Sequence, residues 1–259
     1  MVDRAIFHMW RPIRDSLIEG HQFFVAEAKK RLLDQFNEAG MEADAERYSN
    51  DWLARKGLHF DPDWDDEGSI YEQANSENVN YYLRLKELWD TTRLSIVASM
   101  YHEWEKQFRR WCATEIGRFS ADEGVQQAIW RQPIERLLDL FECCKWLIRS
   151  QPYYRDLCHC QLVVNVYKHG AGTSFDSLRR IAPKFVRPSF NVPPHVFLEP
   201  DYTYLKITDA DLDRFSTAIT DFWRDVPENI LESQIENEPA WFRRAFARGA
   251  GPQSGTKLV

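Results

Sequence analysis

The chain has 259 residues, is 44% apolar and carries 10 Trp, 10 Tyr and 16 Phe, enough for one large core or two small ones. Its net charge is −7 and its pI about 5.6, which excludes binding to nucleic acid by overall charge and requires any phosphate contact to come from a local patch. No leader-like start and no uncharged apolar run of about 18 residues is present, so a soluble cytoplasmic protein without a membrane partner is expected.

Residues 12 to about 39 read as a long amphipathic helix. Pro12 suits a first helical turn, and Ile13, Leu17, Phe24, Ala28, Leu32 and Phe36 fall near helical spacing. Gly40 is expected to close it. A second helix over 41–56 carries Met41, Ala45, Tyr48, Trp52 and Leu53 and ends at Gly57. The short connection predicts an antiparallel helical hairpin spanning 1–60.

Residues 61–77 hold seven acidic residues and neither Lys nor Arg. The composition predicts a solvated loop over 61–78, a boundary between the hairpin and a main domain at 79–248. Asp61, Asp63 and Asp65 share the opening spacing of a calcium loop, but Asp66 stands where that loop needs Gly, so calcium is not expected.

Residues 79–118 form the longest helical pattern. Leu85, Trp89, Ile96, Met100, Trp104, Phe108 and Trp111 trace one stripe in steps of three, four and seven, the signature of core packing. On its flank His102, Glu105 and Arg109 stand three and four apart. Two readings are open: a Glu105–Arg109 pair on the helix surface, or a Glu105 carboxylate aimed into a pocket shared with His169.

Residues 122–149 continue the helical pattern, with a break at Pro133 and a buried side of Ile134, Leu137, Leu138, Phe141, Cys144, Trp146 and Leu147. The next helix ends at Tyr167-Lys168-His169 and breaks at Gly170-Ala171-Gly172, where Gly170 suits a left-handed cap. Asn165 and His169 are four apart and share a face, and the negative end of the helix dipole favours a charged imidazole there. The five cysteines are odd in number and sit in apolar helical surroundings, so reduced buried thiols are expected. Cys158-His159-Cys160 point in different directions on a helix and have no second ligand pair at zinc spacing, so no metal and no cofactor are expected.

Ser174 can cap a short helix over Phe175–Ile181. Between 177 and 198 there is no Asp or Glu, while Arg179, Arg180, Lys184, Arg187 and His195 lie there. That asymmetry is either a solvated basic face or an anion-binding patch. Four prolines make the segment irregular, and Val196–Leu198 with Tyr202–Ile207 suggests a small β-hairpin. Thr208 is a good N-cap for a helix over 209–225, whose first turn holds Asp209 and Asp211. A last helix spans Pro239 to about Arg248, and the Gly-rich stretch 249–259 reads as a flexible tail. The fold class is mainly α: a helical bundle with an N-terminal helical extension.

The helical pattern with VVNVYKHG resembles the HEPN superfamily of small helical-bundle proteins, found in bacterial toxin–antitoxin and defence systems. YHEWEKQFRRW followed by NVYKHGAGTSFDSL is similar to a HEPN-like group in which a Glu-bearing helix packs on one ending Asn-x-x-Lys-His-Gly. The resemblance covers roughly 80–225. It implies a HEPN-like bundle, RNA as partner, and metal-independent endoribonuclease or toxin activity in a homodimer or with a partner protein of the same system. It places His169 as the catalytic His, Asn165 as the polar residue of the motif and Glu105 as the group that tunes the His. The motif Arg is absent, because Leu162, Val163 and Val164 occupy its positions. Lys168, Arg109, Arg110 or Arg179 would have to hold the phosphate in its place, with Arg180, Lys184 and Arg187 extending the contact. The alternative implied by the lost Arg is a non-catalytic interaction or sensor module, in which His169 and Asn165 serve helix-end and inter-helix hydrogen bonds.

Overall fold

The computed structural model describes residues 3–119, 123–187 and 201–249. Within them the chain is mainly helical. The elements in order are β1 (Ala5–His8), α1 (Arg11–Ala28), α2 (Glu38–Gly57), α3 (Glu67–Phe119), α4 (Glu123–Arg131), α5 (Ile134–Cys143), α6 (Tyr154–His169), α7 (Thr173–Ile181), α8 (Asp209–Asp225), β2 (Asn229–Leu231) and α9 (Ala240–Gly249). No described helix is long and apolar enough to cross a membrane.

α1 does not run unbroken to Gly40. It passes into a π-helical turn at Lys29–Leu33, and Asn37 then caps α2 by accepting the Gly40 N–H at 2.8 Å. Gly40 lies in the first turn of α2, so the cap is the Asn side chain and not the glycine. The acidic stretch also differs from its expected form. Its carboxylates start a helix: Asp66 accepts the Ser69 N–H at 2.9 Å, and Glu67 sits at the positive end of α3. Only 58–66 connects α2 to α3. At 53 residues α3 is about 80 Å long.

The second half of α3 is the axis of the core. Phe108 is fully buried among the rings of Trp104, Trp111, Phe141, Trp146, Phe222 and Trp223, at centroid distances from 5.1 to 6.5 Å. The aromatic stripe expected over 85–111 is therefore the packing spine from Ile96 onward. α1, α6 and α8 pack against this half, and α4 pairs with both α3 and α9. Ile6, Phe7, Met9, Val25, Ala28 and Leu33 belong to the same continuous core as α3, α5 and α8.

β1 and β2 pair antiparallel, with Phe7 opposite Ile230 and a bulge between Ala5 and Phe7. This small sheet joins the two ends of the described chain and is not the expected hairpin. Of that hairpin, 196–198 lies outside the described residues. Tyr202–Tyr204 is a single 3-10 turn, and Leu205 bridges Val186. The expected tail at 250–259 also lies outside the described residues. α8 begins as expected, with Thr208 and Asp211 in a reciprocal capping box.

Candidate functional site

α6 buries Leu157, Cys160, Val163, Val164 and Val166 and lies along α3. Tyr167 and Ser95 join their hydroxyls at 2.8 Å, while Tyr101 faces Cys158 and Cys160. The two helices therefore run antiparallel. α6 stops at Gly170, whose N–H donates to the Val166 carbonyl at 2.8 Å and whose φ of 67° and ψ of −130° suit a residue without a Cβ. α7 starts at Thr173, two residues earlier than expected. Gly172 occupies its N-cap, so Ser174 lies inside the first turn and is not the cap.

At this corner Lys168 and His169 are exposed, while Asn165 is half-buried one turn below His169; Arg179 and Arg180 are exposed in the last turn of α7, and Lys184 just past it. α7 anchors its side of the corner with Phe175 and Leu178, both buried. The Lys184 ammonium lies 4.8 Å from the Phe185 ring centroid. Among the described residues none of these five basic side chains is ion-paired. Asp176 is the acidic residue of α7 and sits in its first turn.

Arg187 is turned away from this edge. Its guanidinium bonds the Leu205 carbonyl at 3.1 Å and the Asp90 carboxylate on α3. Asp90 also pairs with Arg93, a buried cation that reaches Asp209 at 2.5 Å and lies over the Trp89 ring.

Glu105 and Arg109 are bound to each other. Arg109 Nη2 lies 2.5 Å and Nε 3.1 Å from Glu105 Oε1, while Nη1 donates to the carbonyls of Ile129 and Gln132 at 2.8 and 2.7 Å. Arg109 thus caps the C-terminal end of α4 from a buried position. Glu105 stands ten residues along α3 from Ser95, the partner of Tyr167, a separation of about 15 Å along the axis. It is accordingly set well away from His169.

The group that does join Glu105 is His102, with Nδ1 3.7 Å from Glu105 Oε2. Its pKa is lowered from the usual imidazole value, first by burial and then by the charge of Lys168, against the opposing pull of Glu105. His102 lines an open groove of about 660 Å³ with Phe24, Ser95, Ser99, Glu103, Lys106 and Tyr167. A neutral imidazole oriented by a carboxylate can accept a proton there. The sequence carried its spacing from Glu105 but not its closeness to Lys168.

The side chains of Cys158, His159 and Cys160 diverge. Cys160 is fully buried, Cys158 meets Tyr154, and His159 lies 3.6 Å from Asp156 and edge-on to Phe185. Among the described residues no group of three or more His, Cys, Asp or Glu is placed to hold a metal ion. Comparison against known protein families, curated proteins and solved structures gave no match.

Proposed function

We propose that this chain is a HEPN-like, RNA-directed protein of a bacterial defence or toxin–antitoxin system, and that the α6–α7 corner receives the RNA backbone. One observation carries the reading. In a chain of net charge −7, Lys168 and His169 at the end of α6, Arg179 and Arg180 in the last turn of α7 and Lys184 just past it stand exposed with no carboxylate paired to them among the described residues. Unpaired cations keep their attraction for phosphate, whereas Arg109 and Arg187 have theirs neutralised internally. In this reading His169 exchanges the proton of a ribose hydroxyl or leaving oxygen, Asn165 steadies the phosphate, and Lys168 or Arg179 stands in for the absent motif Arg. The reaction is metal-independent endoribonucleolytic cleavage.

A second reading, a non-catalytic RNA-binding or sensor module, is favoured by the closed Glu105–Arg109 pair, which leaves His169 without the carboxylate expected beside it. Binding of a labelled single-stranded RNA should weaken steeply with salt. It should weaken at least 10-fold when Arg179, Arg180 and Lys184 are changed to Gln, and unchanged binding rejects the RNA reading. Incubating RNA with protein in EDTA, wild type against His169→Ala, separates the two readings. Cleavage lost in the variant supports the enzyme, and tight binding without cleavage supports the module.

A further inference from the structure

α2 and the opening turns of α3 form an arm over residues 38–88. The Tyr48 and Tyr81 rings stack at 4.5 Å, and Phe36 stacks on Trp89 at 6.2 Å near its base. Within it only Met41, Ala45 and Ala74 are buried, and no residue of α3 between Ala74 and Arg93 is buried. α3 is the one helix on which α2 packs extensively among the described residues.

The tip of the arm is ordered by its own polar groups. The Asp61 carbonyl accepts the N–H groups of Trp64 at 3.1 Å and Asp65 at 2.7 Å. Its carboxylate accepts the Asp63 N–H at 3.0 Å, and Asp65 returns a bond to the Asp61 N–H at 2.9 Å. The apolar side chains take no part in this. Trp64 is 89% exposed, Leu58 81% and Phe60 37%. Indole and leucine surface left in water is unfavourable, and a rigid turn presenting it has little ordering entropy left to lose on binding.

Charge identifies the occupant. Residues 38–88 hold 13 carboxylates against 5 Lys and Arg, a net −8, which leaves +1 for the rest of a chain of net −7. From 57 to 83 there is no Lys or Arg at all. Such a tip repels RNA phosphate, anionic lipid and the same tip of a second copy. We propose that the arm is a docking element whose tip, through Trp64 and Leu58, receives a Lys/Arg-bearing amphipathic segment of a protein partner. The apolar residues of that segment would meet the indole, and its cations would meet Asp63 and Glu67, neither of whose carboxylates bonds within the Asp61–Asp65 turn. This inference stands apart from the RNA reading.

The probe is a labelled amphipathic Lys/Leu 14-residue peptide, with a Glu/Leu peptide of the same pattern as control, titrated with the full chain. Wild type should bind the Lys/Leu peptide and not the Glu/Leu peptide. Trp64→Ser with Leu58→Ser should weaken binding at least 10-fold, and Asp63→Lys with Glu67→Lys should do the same. Circular dichroism should show both variants folded, because none of the four side chains packs internally. Binding that survives the loss of Trp64 and Leu58, or no binding by wild type, overturns the proposal. Sedimentation of the chain alone tests the other occupant. A salt-sensitive dimer that dissolves on Arg179→Glu with Arg180→Glu would assign the tip to the basic edge of a second copy and also overturn it.

Discussion

Arg109 holds Glu105 from four residues away, Nη2 to Oε1 at 2.5 Å, and with its remaining Nη1 ties down two carbonyls at the end of α4. One guanidinium thus joins a helix-surface pair to a tertiary contact. Arg109→Met would leave Glu105 without its cation and the Ile129 and Gln132 carbonyls without donors. The expected cost is about 3 kcal/mol or more. Arg109→Lys should recover only part of it, since one ammonium cannot span all three acceptors in that geometry. Urea unfolding of the two variants checks this, and equal midpoints for Lys and wild type would contradict it.

Phe108 lies at the centre of the aromatic cluster and has no exposed surface. Phe108→Ala removes a ring that six others touch, and the stacked side chains around it cannot collapse without leaving their own contacts. The expected loss is about 3–5 kcal/mol. Phe108→Leu, which keeps most of the volume, should lose less than half of that. Thermal melts ranking Leu between wild type and Ala support the assignment.

The helices of the body were legible because a 3.6-residue period survives in their burial. Ile134, Leu137, Leu138 and Phe141 of α5 and Leu212, Phe215, Ala218, Ile219 and Phe222 of α8 are all buried as the spacing predicts. Residues 67–78 were not legible as helix, since Ala74 is their only buried residue, and their acidity reads as solvation until they are placed at a helix start. The β1–β2 pairing joins strands of four and three residues across most of the chain, too short for an alternation to show. At the site, the Glu105–Arg109 spacing announced a local pair. The separation of Glu105 from His169 depends on the register of α3 against α6, which spacing within one helix does not encode.

His21 joins α1 to α8. Its Nε2 lies 3.1 Å from the Ser216 carbonyl, which can only accept, and 2.9 Å from Ser216 Oγ, so the neutral ring carries its proton on Nε2. Burial lowers its pKa, and the bond to Ser216 opposes this in part. The unfolded chain gains a proton near the ordinary value of 6.5, while the folded chain resists it to lower pH. Stability is therefore complete above about pH 6.5 and declines as pH falls below it. Urea midpoints between pH 7.5 and 5 should fall for wild type and fall less for His21→Gln. Parallel slopes in the two proteins would remove His21 as a source of the decline.

Two glycines in similar-looking helices should respond with opposite sign. Gly20 sits exposed inside α1, and a Cβ built there meets nothing within 4 Å. Alanine restricts the unfolded chain and favours the helix, so Gly20→Ala should stabilise by up to about 1 kcal/mol. Gly170 ends α6 at φ 67° and ψ −130°, a conformation in which a Cβ meets the backbone. Gly170→Ala should cost about 1–3 kcal/mol. Asparagine should not rescue it, because Asn tolerates the left-handed helical region near ψ 47° and not this one. The strain acts on the turn that carries Lys168 and His169, so, if the proposed RNA reading holds, Gly170→Ala should also weaken RNA binding at a temperature where the variant is folded. A destabilised variant with wild-type affinity would show that the corner adapts without loss of its cationic surface.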